Sequence, residues 1–496
     1  MQFIDSRHDS MKFSSLGFLG LALAALVGCG QGETTAAASA AGGSAALDGP
    51  IAFVRNTGDK SLTSIAMKGD SGNTVINTIP AAEFENGALG DTQFSVGEWL
   101  FVNLGSANKV ATIDPLTNAT PVHEVNLTTG TRPVHIYRDS TDGEIMWSMN
   151  DGDNLGGPAT AGDDLINCAA QTGGSVTILH NSHLGPGAVP PTVVTTVCLL
   201  ADGHHVAAFS SGAGIPKKAF VSSTTAGEIA VIGNDPLIPS EYHQLIGRID
   251  LCTNAGESAN GQGACDVNAD VANTPNTPNT SNPHGIRFSN LTHKVYSIQQ
   301  GYGEIAEIDP DTLLITKRFD LNGTGYTSYG ISPDGRFLLL RGDLNPGPGT
   351  KLGVIDLGTA GNPQTDFVIP ELDGASPGSF KFSPNGKRFY ILAGTSGSKK
   401  DRLFAFDAST LTAATPSLTL LREIVLVSTG GHSFDVLVQG AGEATYLVVS
   451  NSVDDSVSII NATDNLIKDT VKVGTTPGGV LIYYPGAAAK GNQASS

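Results

Sequence analysis

One segment type recurs along this chain and fixes what it can fold into. "WLFVNLGSANKVATIDPLTNATPVHEVNLTTGTRPVHI" begins at Trp99, "KVYSIQQGYGEIAEIDPDTLLITKRFDLNG" at Lys294 and "YLVVSNSVDDSVSIINATDNLIKDTVKVGTTPGGVLIYY" at Tyr446. Each reads as an apolar strand, a polar turn, a Val-x-x-Ile-Asp-like strand, a turn rich in Asp, Pro or Thr, and an outer strand; Gly or Pro then leads into the next strand. Looser copies carry "SLTSIAMKGD" at 61–70, "GSVTILH" at 174–180, "GEIAVIGNDP" at 227–236, "KLGVIDLGT" at 351–359 and "RLFAFDAST" at 402–410. Ser332-Pro333-Asp334-Gly335 and Ser383-Pro384-Asn385-Gly386 occupy the same turn in two neighbouring copies. Asp-Gly and Asn-Gly suit hairpin turns because they accept positive φ.

Units of about 45 to 75 residues, each of four short strands, define an all-β fold, the β-propeller. A four-stranded blade cannot cover both of its faces, so blades must pack around a closed ring. The chain ends indicate the closure. Gly479 to Tyr484 reads as an innermost strand, and Ile51 to Val54 as a second strand. The C-terminal strand is therefore expected to complete the first blade. This count gives eight blades; seven is the alternative, because insertions blur the second and third. The propeller is expected over 49–485, with a disordered tail at 486–496.

The net charge of −19 argues against a nucleic-acid partner, since phosphate binding needs a basic face. Met11-Lys12 precedes an apolar run from Leu16 to Val27, too short to span a membrane and suited to a secretory signal over 1–28, with Met11 as the natural start. Leu26-Val27-Gly28-Cys29 resembles the bacterial lipobox. That resemblance implies cleavage before Cys29, lipidation of its thiol and a membrane anchor. Gly30 after the cysteine implies the outer membrane, facing periplasm or cell surface. Residues 29–48 are small and polar and read as a flexible tether. Cys168, Cys198, Cys252 and Cys265 remain, an even number in an exported chain, which reads as two disulfides. Of the three pairings, neighbours in sequence are favoured, because each pair brackets one loop; closing each loop is worth about 3 kcal/mol.

The repeats at Trp99 and Tyr446 resemble YVTN β-propeller repeats, with Phe101-Val102-Asn103 and Val449-Ser450-Asn451 in place of the literal motif. The eight-blade count resembles the d1-haem domain of cytochrome cd1. The resemblance covers about residues 50 to 485 and implies the fold; such folds host binding proteins, carriers and enzymes alike.

Histidines recur where innermost strands begin. His284 lies in "PHGIRFS", His432 in "GGHSFDV", His205 in "GHHVAAFS" after His204, and His135 in "RPVHIYR". Imidazoles facing one axial channel suit zinc or copper, and iron or nickel on the same chemistry. The plainer reading has them lining a wet channel. In having channel histidines the sequence is similar to a family of periplasmic zinc-chaperone propellers, and as an exported propeller to proteins of d1-haem maturation. Asp151, Asp153, Asp163 and Asp164 in the 150–164 segment offer oxygens that suit calcium, against a solvated loop as the simpler account. No nucleophile elbow, zinc-protease helix, Walker loop or dinucleotide fingerprint occurs in a suitable setting. The expectation is an exported, anchored binding or scaffold module for a protein or small ligand. A metal- or cofactor-handling propeller is the alternative, and a hydrolase or lyase at the channel mouth the third reading.

Overall fold

A computed structural model describes residues 49–484, apart from 96–98, 118–122, 128–130, 153–173, 181–189, 200–204, 225, 260–264, 266–278, 322–324, 342–350, 376, 394–397, 400, 414–415, 428–429, 431 and 440–441. The signal segment, Cys29, the tether and the tail lie outside the described residues, as do Cys168, His204, Asp153, Asp163 and Asp164.

The fold is an eight-bladed propeller: eight four-stranded antiparallel sheets about a common axis. In seven blades the strands pair in chain order. Blade 1 combines Ile51–Asn56, Ser61–Ala66 and Thr74–Ile79 with the last strand, Pro477–Tyr483. Ile51 pairs with Tyr483 and Val54 with Val480, so the chain's end closes the ring as its sequence predicts.

Strand composition follows position in the blade. The third strand of blade 8, Ser456–Asn461, is buried along nearly its whole length, and its outer neighbour Leu466–Lys472 is buried only at Val471. Central strands are covered on both faces by adjacent blades, which is why they read Val-Ser-Ile-Ile rather than alternating apolar and polar. Apolar clusters fill each blade-to-blade seam. Ala52, Val54 and Ile65 of blade 1 meet Val448, Val457 and Ile459 of blade 8, and the other face of blade 1 meets blade 2 through Phe53, Leu62, Leu100 and Val102. Burying each such side chain stabilises by about 1.5–3 kcal/mol, so the ring depends on every seam.

The Asn of the repeat has a structural task. Asn56, Asn150 and Asn451 end second strands and are fully buried. The Nδ2 of Asn150 donates to Ser175 Oγ and Thr177 Oγ1, both at 2.9 Å, and Asn451 does the same to Ser456 and Ser458 at 3.2 and 2.9 Å. These bonds satisfy buried hydroxyls of the next strand. The Ser-Pro-Asp-Gly and Ser-Pro-Asn-Gly turns differ from the expectation in detail. The glycine alone takes positive φ, 76° at Gly335 and 70° at Gly386, and its N–H donates back to Ser332 or Ser383 at 2.8 Å. Pro at the second position favours this turn, with the glycine absorbing the left-handed step.

Between blades 3 and 4, Trp147 donates from Nε1 to Asp139 at 2.9 Å, and its ring meets His243 edge-on at 5.7 Å. His243 is buried, stacks on Tyr242 at 3.7 Å and has no hydrogen-bond partner at Nε2 among the described residues. Burial lowers its pKa from 6.5 to about 4, with Asp142 opposing weakly. The unfolded chain thus binds a proton near pH 6.5 that the folded protein refuses until about 4. Stability is full above 6.5 and falls through that interval as pH drops. Urea midpoints at pH 7.5 and pH 4.5 are expected to fall less for His243→Phe than for the wild type, by the equivalent of about 1–3 kcal/mol.

Candidate functional site

The innermost strands of blades 2 to 8 are Leu89–Phe94, Pro133–Arg138, His205–Ser210, Pro283–Phe288, Ser328–Ile331, Pro377–Phe382 and Phe434–Gln439. Where these strands begin, a polar network spans the first blades. Arg55 of blade 1 reaches Asp91 of blade 2, Nη2 to Oδ1 at 3.1 Å, and also donates to the Gly90 carbonyl. Gly479 of the closing strand makes room for it: a Cβ there would lie 2.3 Å from the Arg55 Nε. The other Asp91 oxygen bonds the Nδ1 of His135. Burial disfavours the His135 imidazolium. The Asp91 carboxylate, through charge and hydrogen bond, and then Asp151 outweigh burial and raise its pKa above the usual 6.5.

His284 behaves oppositely. Burial lowers its pKa, and the charges of Arg341, His135 and Arg287 lower it further. The surroundings thus favour the cation at His135 and disfavour it at His284. His432 is placed differently. It precedes the blade 8 inner strand, its side chain is buried, Nδ1 lies 2.7 Å from the Ser450 carbonyl and Nε2 3.4 Å from Asp401. Both of its nitrogens face groups of the blade wall. His205 opens its strand as expected, but its side chain is outside the described residues. Among the described residues no three His, Cys, Asp or Glu side chains converge as a metal site would require. Asp151, the described member of the calcium candidates, is buried and acts on His135. Cys252 and Cys265 form a disulfide with Cα atoms 5.8 Å apart, and Cys198 is also disulfide-bonded.

Where the inner strands end, a cavity of about 420 Å³ opens between blades 3 and 7. Arg287 and Phe288, Phe209, Phe380, and Lys381 with Phe382 line it, together with the Ser332 turn. Lys381 is ion-paired to the fully buried Asp435 at 2.8 Å. Arg341 lies over the Phe380 ring, 5.3 Å from its centroid, and burial followed by repulsion from Arg287 lowers its pKa to about 10. The Phe380 ring rests on Gly330, where a Cβ would come within 2.1 Å of it. Gly330→Ala is therefore expected to displace Phe380, costing about 1–3 kcal/mol by overpacking and lowering the thermal midpoint.

These cavity residues escaped the histidine-led reading. The signal was present as register. Five inner strands end Gln93-Phe94-Ser95, Ala208-Phe209-Ser210, Arg287-Phe288-Ser289, Gly330-Ile331-Ser332 and Lys381-Phe382-Ser383. The serine closes the first hairpin: Ser332 Oγ accepts the Phe337 N–H at 2.9 Å and Ser383 Oγ that of Arg388 at 3.0 Å. The residue two before each serine belongs to one layer, and two blades place a basic side chain there.

The fold defines the class of the protein, an eight-bladed β-propeller, here with a cavity where its inner strands end. Solved structures share that architecture. The dihydro-heme d1 dehydrogenase NirN in complex with DHE matches with a TM-score of 0.54 and 14% identity, covering 88% of this chain and 76% of that one. Apo AztD from Citrobacter koseri matches with a TM-score of 0.51 and 13% identity, covering 88% of this chain and 97% of that one. At such identities the likeness is one of fold. No known family model matches the chain, and no curated protein does.

Proposed function

We propose that this protein is an exported, membrane-anchored propeller that binds a small ligand at the mouth of its axial channel and does not transform it. The cavity of about 420 Å³ at that mouth carries the reading, because its size and its aromatic walls with a few charged groups are those of ligand sites. Export is supported by the Cys252–Cys265 disulfide, which belongs to an oxidising compartment. Anchoring rests on Leu26-Val27-Gly28-Cys29. With Cys29→Ser the protein is expected to leave the membrane fraction; retention in that fraction would remove the anchor from the account.

A second reading is favoured by the His135 and His284 pair. A neutral imidazole such as His284 is competent to bind a metal or a haem-type iron. NirN, a dihydro-heme d1 dehydrogenase solved with DHE, has a similar fold. Zinc titration of the wild type and of a His135→Ala, His284→Ala double variant tests this reading. Equal binding by both would end it.

A further inference from the structure

The mouth cavity holds a charge that no described residue balances. Arg287 is 7% exposed and lines the cavity, and its Nη1 donates to the carbonyl of its neighbour Ile286 at 2.8 Å. Among the described residues no carboxylate pairs with it. A guanidinium keeps its proton at any physiological pH, and burying it without a counter-charge is costly. The chain has 47 acidic residues against 28 basic ones, so a nearby carboxylate was readily available. Lys381, in the same layer two blades on, has one in Asp435. The missing counter-charge of Arg287 is best supplied from outside.

The surroundings set the rest of the ligand's chemistry. Phe288, Phe380 and Phe382 present apolar ring surface beside the guanidinium, and Ser332 and Asn290 add polar groups at the edge. A guanidinium fork suits the oxygens of a carboxylate or phosphate, and flat rings suit a flat apolar body. We infer that this cavity binds a small organic anion, its carboxylate or phosphate head on Arg287 and its flat body among the phenylalanines. The inference rests on the reading of the mouth as a ligand site and gives that ligand a chemical class.

The test is isothermal titration of the full chain in nanodiscs, with empty nanodiscs as blank. The probes are naphthalene-2-carboxylate, 2-naphthyl phosphate and the neutral 2-naphthalenemethanol. Saturable binding of at least one acid is expected, at least tenfold tighter than the alcohol, and whichever acid binds better identifies the head group. Arg287→Gln is expected to weaken that acid tenfold or more. Asn290→Asp, at an exposed lining position, leaves the fold intact and is expected to weaken it about fivefold by charge alone. If the alcohol binds as tightly as the acids and both variants leave binding unchanged, the anion is wrong and the ligand-binding mouth stands. If none of the three binds to folded protein, both readings fall.

Discussion

Deleting residues 477–496 is expected to abolish cooperative folding. The lost strand supplies the innermost position of blade 1, pairing from Ile51↔Tyr483 to Asn56↔Pro477. It buries Leu481, Ile482 and Tyr483, and Tyr483 packs on Phe94 of blade 2 at 5.1 Å between ring centroids. Each of these side chains contributes about 1.5–3 kcal/mol, against a net stability of about 5–15 kcal/mol for a whole domain. The truncation also strips hydrogen bonds from the edge of Ile51–Asn56 and opens the seam between blades 8 and 1. A ring that cannot close exposes two blade faces to water. Tyr483→Ala, which keeps the strand, is expected to cost about 3–5 kcal/mol. Near-ultraviolet circular dichroism and a thermal melt read both. A truncated protein that melts like the wild type would refute the closure.

The second large effect is at Asp435. Its carboxylate is completely buried and accepts from Lys381 Nζ at 2.8 Å, from the Val436 N–H at 2.9 Å and from the Ile482 N–H at 2.9 Å. Those partners belong to blades 7, 8 and 1, so one side chain ties the closing seam to its neighbours. Asp435→Ala leaves Lys381 without its counter-charge and buried N–H groups without an acceptor. A loss of about 3–5 kcal/mol is expected. In a double-mutant cycle, adding Lys381→Met is expected to recover part of that loss, because the stranded charge is then gone. Additive losses from the two substitutions would mean that the pair contributes nothing as a pair.

How much of this was legible before the structure depends on range. Phe101-Val102-Asn103 and Val449-Ser450-Asn451 announce second strands, because an apolar run ending in a buried Asn is a local pattern repeated at intervals. Eight blades and a closing C-terminal strand follow from counting such patterns. The site depends on contacts between distant segments. Arg55 reaches Asp91 only because Gly479, hundreds of residues away, offers no side chain. His432 shares its register with His284, yet its nitrogens are turned to Ser450 and Asp401 of the wall. Sequence register placed it at the right strand start but gave no direction for the ring. Arg287 and Lys381 look alike in "RFS" and "KFS", and only the structure shows that one has a carboxylate beside it.

Native mass spectrometry of the full chain, purified from cells without added ligand, tests the central claim most directly. The account predicts an organic adduct at one per chain, released on denaturation and lost with Arg287→Gln. A stoichiometric metal ion instead, lost when His135 and His284 become Ala, would contradict it and make the imidazole pair the working site.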